Sequence, residues 1–529
     1  MALEKRTTGL SKSCILIIVV ASVERFAYKG VASNLVTYLT DVVKMSMSSA
    51  AKCVSTWSGV TSMLPLITAI LVDSYWDRYS TIMASALLYV VGLVSLTSWA
   101  LLHAWMPCTS LFLPLYLISI GQGGYNPSLQ AFGADQLEIE DDSHCSQGDD
   151  KSKVKSLFFQ WWYFGICSGS LLGNSLMPYI QDSFSWALGF AIPSGMMSLS
   201  VASFLCGTRF YVHKQAKIHN RPQESIIQVI KTFAAKILNR KFRLPSRDDD
   251  DDVLELELQE KPLKDDFNGP EGLDRDLAKL DEPPRITKTI LRLFPIWMML
   301  LMFAVIFQQP ITFFTKQGMM MNHRIGSSFV VPPAMLQSAI TISIILIMPL
   351  YDKLIIPFGR LLTRDEKGIS VLQRIGIGMF LSTIAMVIAA LVELKRVGVV
   401  RKEGPLESEK QMSIFWLLPQ YIILGISDVF TVVGMQEFFY TEVPSTMRTI
   451  GIALYLSVFG VGSFLSSFLI SFVEMINGKF GKNNSWFSDD PREARLYNYY
   501  WFLALLSSIS FLIFAKLSRH YNTLNSSAK

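Results

Sequence analysis

Glu24, Arg25 and Lys29 sit near the middle of an apolar stretch, residues 14–38, that is long enough to cross a bilayer. Ionisable groups at that depth are costly, so they are kept mainly where they face one another or a water-filled route. Such a set can bind a charged solute and pass a proton. Ala21, Arg25 and Lys29 follow one another at i, i+4 and i+8 on one helical face, with Glu24 on the adjacent face. Lys29 lies about nine residues, or roughly 14 Å at 1.5 Å each, from the outer end of its helix. Its ammonium cannot reach the headgroups from there, so an acid inside the protein is expected, and Glu24 and Asp428 are the candidates. A purely structural ion cluster is the alternative.

Bond-making chemistry has little support. The six histidines (103, 144, 213, 219, 323, 520) fall in loops or at helix ends, and neither HExxH nor GxSxG occurs. The six cysteines are scattered without a CxxC pair, so neither a zinc site nor a disulfide framework is indicated, and no cofactor is expected. An intramembrane enzyme is therefore disfavoured, and a sensor that does not transport is separable from a carrier by tracer uptake.

The elements that must hold these residues are membrane spans. Mean hydropathy is +0.34 with 50% hydrophobic residues, too apolar for an ordinary soluble protein. The apolar residues resolve into twelve windows: 14–38, 53–76, 80–106, 111–133, 157–180, 184–207, 289–315, 331–351, 372–392, 413–436, 449–473 and 496–515. Seven of them hold no Asp, Glu, Lys or Arg, which predicts an all-α polytopic membrane protein. Short-loop Lys and Arg counts in the first half, together with the even number of spans, predict that both termini are cytosolic. The basic loop 393–412 on the outer side runs against that rule. Met1–Ser13 lacks a signal-peptide cleavage pattern and leads directly into the first span.

Residues 208–288 divide the chain into six spans plus six, giving bundles at 1–207 and 289–529 and a cytosolic linker between them. In the linker, Ile226–Leu238 reads as a surface amphipathic helix and Asp248–Asp252 as a solvated acidic run. The net charge of +5 is spread over the loops and suits a membrane-facing surface, not nucleic acid. Asn483-Asn484-Ser485 forms a sequon in the predicted loop before the last span.

Asp73, Asp77 and Arg78 lie at the junction of spans 2 and 3, and Asp352 and Arg360 at that of spans 8 and 9. An acid and a base repeated at equivalent points predict gate or hinge salt bridges in a parallel repeat, as in major facilitator transporters. Gly121, Gly123, Gly124 and Pro127 in span 4 predict a break or kink beside a cavity, and Pro310 predicts another in span 7.

Five further segments carry a family resemblance: Glu24-Arg25-Phe26, the glycine-rich Gly121–Pro127 followed by Ala131–Gln136, the aromatic Phe158–Phe164, Val331-Pro332-Pro333 and Glu437–Tyr440. In these, and collinearly over nearly its whole length, the chain resembles the proton-dependent oligopeptide transporter family, specifically its plant nitrate and peptide transporter branch. The resemblance implies a major facilitator fold of two six-helix bundles. It also implies alternating access and secondary-active transport of nitrate, a peptide or another small organic anion or zwitterion. Proton symport is the family default, and the plasma or vacuolar membrane is the expected location. Partners are then the solute, protons and the bilayer, with the oligomeric state open.

Departures from the family pattern carry equal information. The family's first span reads Glu-x-x-Glu-Arg, and its first glutamate falls at Ala21. Its fourth-span lysine falls at Asn126, the tyrosine often following Tyr28 is Lys29, and Asp428 matches its tenth-span acid. The histidine associated with nitrate in one branch falls at Phe307, beside Gln308 and Gln309. The formal charge over these positions rises from −1 in the family pattern to 0 here, which predicts preference for an anionic group near Arg25 and Lys29 and argues against nitrate alone. The missing glutamate and lysine motivate a second expectation, an uncoupled facilitator or exporter. The resemblance further implies a phosphorylation site at Thr81, with a plain helix-start role as the alternative.

Overall fold

The computed structural model describes residues 12–75, 78–103, 105–143, 148–211, 283–325, 329–350, 370–403, 412–443, 448–479, 486–488 and 495–527. Seven helices form the first half: α1 (Lys12–Ala32), α2 (Leu35–Asp41), α3 (Met47–Tyr75), α4 (Arg78–Leu102), α5 (Phe112–Ser143), α6 (Gly148–Ser183) and α7 (Trp186–Cys206). The second half contains α8 (Pro283–Phe307), α9 (Phe313–Met319), α10 (Ser338–Leu350), α11 (Val371–Glu403), α12 (Leu418–Thr441), α13 (Arg448–Lys479) and α14 (Leu496–Ser527). A short antiparallel pair, Arg324–Ile325 with Phe329–Val330, precedes α10.

Each of the twelve apolar windows coincides with one of the longer helices, and α2 and α9 are short additions at helix ends. Among the described residues, seven helices are long and apolar enough to cross a membrane by composition alone. α1 misses that standard because it carries Lys12, Glu24, Arg25 and Lys29. Residues 217–295 cluster as a unit of their own, described here only in the first turns of α8. The amphipathic segment, the acidic run and the sequon lie outside the described residues.

Two apolar cores organise the rest. One joins α1, α2, α3, α4, α5 and α7 through residues such as Ile17, Tyr38, Trp57, Tyr89, Leu115 and Phe190. The other joins α8 to α14 through Phe313, Phe314, Met386, Tyr421, Tyr499 and Tyr500. The molecule is thus a major facilitator fold of two helical bundles.

Lipid is as apolar as a leucine side chain, so helix packing here depends on close backbone approach. Gly165, Gly169 and Gly173 recur every fourth residue on α6 and receive α1. A Cβ at Gly173 would stand 2.8 Å from the Lys29 Cβ and the Phe26 carbonyl, and one at Gly169 would overlap the Ser22 carbonyl. The same device joins α4 to α5, where a Cβ at Gly121 would lie 2.6 Å from the Tyr89 backbone nitrogen. The glycines of α5 therefore do not break it: the helix runs continuously through Pro127 to Ser143, which excludes the break among the two expected alternatives, a break or a kink. At Pro310 the expected interruption is present, since α8 stops at Phe307 and α9 restarts at Phe313.

Candidate functional site

Glu24 is fully buried. Arg25 is its charged neighbour, and Gln122 and Asn126 of α5 stand beside it. Tyr89 of α4 and Tyr125 of α5, both buried, complete its surroundings. Glu24 thus points into the first bundle, among groups that can exchange protons or hydrogen bonds but that do not neutralise it.

One residue later the chain faces the other way. The Arg25 guanidinium lies 5.9 Å from the centre of the Tyr28 ring, a cation–π arrangement. Tyr28 in turn stacks on Trp57 of α3 at 5.7 Å, and the Trp57 indole N–H donates to the Leu115 carbonyl at 2.9 Å. This stack fixes Arg25 from below. Lys29, one turn on, is seated by the glycine stripe of α6, and its acidic neighbour is Asp428 of α12 in the other bundle. Lys29 and Asp428 are both half-buried and act on each other without a direct ion pair. Tyr163 and Cys167 of α6 and Tyr455 of α13 surround Asp428. The arrangement offers two cations on one wall and one acid on the other, bordered by tyrosines, a geometry suited to an anion or zwitterion.

Residues 307–309 are distributed differently. Phe307 stacks on Phe303 at 5.9 Å and meets Phe459 of α13 edge-on at 6.1 Å. The Gln308 amide donates to Ser463 Oγ of α13 at 2.7 Å and to Ser58 Oγ of α3 at 3.3 Å, joining the two bundles. Gln309 is turned into the second bundle, donating to the Val305 carbonyl at 2.9 Å, with Tyr499 beside it. Only Phe307 of the three remains half-buried, while both glutamines are buried and spend their amide N–H groups on bonds within the protein.

A closed end was not foreseen from sequence. Lys52 of α3 pairs with Glu474 of α13 at 2.6 Å, and Thr56 Oγ1 donates to Ser467 Oγ at 3.2 Å. Lys316 of α9 bonds Thr40 and lies 3.4 Å from Asp41 of α2, and the Gln337 amide donates to the Ser33 carbonyl at 2.8 Å. Tyr179 of α6 stacks on Phe329 at 5.6 Å. All of these bonds lie between Gln308 and the end where α1 finishes and α3 begins. The partners are ordinary residues drawn from separate elements of the two halves, so no local motif announces them.

The gate expected at the opposite end lies largely outside the description. Asp352 and Arg360 fall outside the described residues, as do Asp77 and the side chain of Asp73. Arg78 opens α4. Thr81, four residues into that helix, is 3% exposed and packs in the first bundle. Among the described residues no cluster of His, Cys, Asp or Glu could hold a metal, and the described cysteines are free.

Comparison with known proteins gives consistent matches. A family model described as "POT family" matches residues 79–487. The chain is 52% identical to Protein NRT1/ PTR FAMILY 5.9 of Arabidopsis thaliana, covering 99% of this chain and 98% of that protein. It is 40% identical to Protein NRT1/ PTR FAMILY 5.10 of the same plant, covering 98% and 94%. Among solved structures, the POT family transporter PepTSo superposes with a TM-score of 0.73 at 18% identity, over 97% of this chain and 99% of that one. A POT family transporter in complex with 5-aminolevulinic acid gives 0.68 at 16% identity, with 98% of each chain covered.

Proposed function

The chain belongs to the POT family of small-solute transporters, and from that premise we propose that it carries an organic anion or zwitterion by alternating access between the two bundles. The observation that carries this reading is the placement of Arg25 and Lys29 on α1 opposite Asp428 on α12, with no direct ion pair between Lys29 and Asp428. A carboxylate lodges between the two cations, and a second, cationic group of a zwitterion meets Asp428. Phe307, with its aromatic neighbours Phe303 and Phe459, supports an organic body over bare nitrate. 5-Aminolevulinic acid, bound by one structural relative, is a zwitterion of this kind and belongs in the first screen.

The test is an uptake screen in oocytes at two external pH values, followed by Lys29→Tyr on the solute found. Removing a half-buried cation from a charged solute costs about 1.5–3 kcal/mol, so the anionic solute should lose roughly tenfold or more in apparent affinity. A neutral analogue should lose less than about twofold, because it makes no charge-assisted bond to replace. Equal losses for both solutes would refute the assignment of Lys29.

Coupling is proposed to run through Glu24, the one carboxylate of the first span, buried beside Asn126 where the family has a lysine. With the Ala21 carboxylate and that lysine both missing, coupling should be weak, and uncoupled transport is the second reading. Glu24→Gln is expected to remove whatever acid stimulation the wild type has. A steep pH response that survives in Glu24→Gln excludes Glu24 as the proton carrier.

The proposal extends to topology: bundles at 1–207 and 289–529 joined by a cytosolic linker at 208–288, both termini cytosolic, in the plasma or vacuolar membrane. The closed end then faces away from the cytosol. Fluorescent fusions at each terminus, with protease protection of isolated membranes, check this.

A further inference from the structure

The closed end carries a pocket of about 370 Å³ between the turn after α2 and helix α9, which belong to opposite bundles. Its polar pole is Thr40, Asp41, Lys44 and Lys316. Its apolar pole is four thioethers, those of Met45, Met47, Met319 and Met320.

The charges are unevenly committed. Asp41 Oδ1 accepts from the Thr40 hydroxyl at 2.8 Å and faces the Lys316 ammonium at 3.4 Å. Lys316 is 8% exposed and has Met319 Sδ at 3.1 Å as well. Lys44 has no ion-pair partner among the described residues, so the pole has an excess of positive charge.

Lys44 is also the one non-glycine residue with positive φ among the described residues, at 62°. It sits in the left-handed region just after α2, in a turn closed by the Met45 N–H donating to the Leu39 carbonyl at 3.0 Å. Glycine takes that conformation without cost and is the usual residue there. A long cation held where glycine would serve the backbone better is an outlier that directs attention to its side chain.

We propose that this pocket is an entry site for an amphipathic organic carboxylate, with the carboxylate between Lys44 and Lys316 and the apolar body against the methionines. Thioethers pack well on aromatic rings and adapt to varied shapes, which suits a site that admits without discriminating closely. A bound carboxylate competes with Asp41 for Lys316, the latch between the bundles, so arrival of the solute loosens the closed end. This rests on the reading of the solute as an organic anion, but it concerns different residues from the Lys29 site and is tested apart from transport.

The full chain, labelled at the methionine ε-methyl groups with 13C and held in nanodiscs, is titrated with phenylacetate and separately with phenylacetamide. The methyl signals of Met45, Met319 and Met320 are assigned by single Met→Leu changes. Phenylacetate should shift these signals saturably, phenylacetamide should shift them weakly, and about 1 M salt should weaken the phenylacetate effect. Lys44→Gly, which relieves the backbone while removing the charge, should weaken phenylacetate about threefold or more, and Lys44→Arg should restore it. Lys29→Tyr should leave these shifts unchanged. The entry site is disproved by an absence of shifts at saturating phenylacetate, by equal shifts from the amide, or by Lys44→Gly binding as wild type. If the methyl shifts appear while Lys29→Tyr fails to discriminate in uptake, the entry site stands and the central site does not.

Discussion

Thr81 illustrates how burial decides what a residue can do. At 3% exposure its hydroxyl is covered by the first bundle, so a phosphate can be added only if α4 parts from α5. A carboxylate fixed in the same place is a charge moved into the buried first bundle, which is costly. Thr81→Asp is therefore expected to lower the melting temperature and the folded yield strongly, and Thr81→Ala only mildly, as read by fluorescence size exclusion across a temperature series. Equal melting curves for the two variants would mean that position 81 opens readily enough for a kinase. Asp182 shows a gentler case at the closed end. Its side chain reaches solvent, yet local burial pushes its carboxyl above the usual carboxylate range, against the opposing hydrogen bond from Asn34 Nδ2 at 2.9 Å. The folded protein then holds a proton that the unfolded chain releases, so this residue's contribution to stability falls as pH rises through the raised value. Asp182→Asn keeps an acceptor for Asn34 and should gain on wild type in melting temperature between about pH 4 and pH 7. A difference that is flat across that range contradicts the shift.

Gly165, Gly169 and Gly173 set the position of α1, and with it the position of Lys29. A methyl at Gly169 would overlap the Ser22 carbonyl, which is backbone and cannot rotate away. Gly169→Ala should cost about 1–3 kcal/mol by overpacking. It should also impair anionic uptake, because Lys29 sits only one helical turn further along the same contact; normal uptake in a folded variant would separate the stripe from the site. The four-residue spacing of these glycines was readable in the sequence, but not the helix they receive, since any span could have been the partner. Pro310 was legible for the opposite reason, because it removes a hydrogen bond from its own helix wherever it packs. Gly121 and Gly124 resembled it in composition, yet tertiary packing against Tyr89 and Ser85 turned a predicted break into a contact surface. The stripe Arg25 and Lys29 followed from helical periodicity alone. Its acid, Asp428, was one of two candidates that only the bundle arrangement could separate. Gln308 was legible as a polar residue at membrane depth, but its partners Ser58 and Ser463 were not, because they are set by the meeting of helices.

At the scale of the whole molecule, a set of polar bonds crosses between the bundles from Gln308 toward the end bearing Lys52, Glu474 and Lys316. Alternating access requires those bonds to break together, so each must be individually weak. Lys52 and Glu474 meet that condition: with side chains 28% and 34% exposed, their 2.6 Å pair is worth about 0.5–1 kcal/mol. Losing it should change the ratio of closed to open molecules about two- to fivefold, well short of abolishing transport. Reversing one charge also replaces attraction with repulsion, so Lys52→Glu and Glu474→Lys should each open this end more than the neutral Lys52→Gln does. The double reversal should close it again, because the pair is restored with its signs exchanged. Spin labels on the two bundles at this end report the outcome directly, as a population of longer distances that grows in each single reversal and shrinks in the double. If the double variant is as open as either single one, the pair is a bystander, and the closure rests on the buried Gln308, Ser58 and Ser463 contacts deeper in the interface.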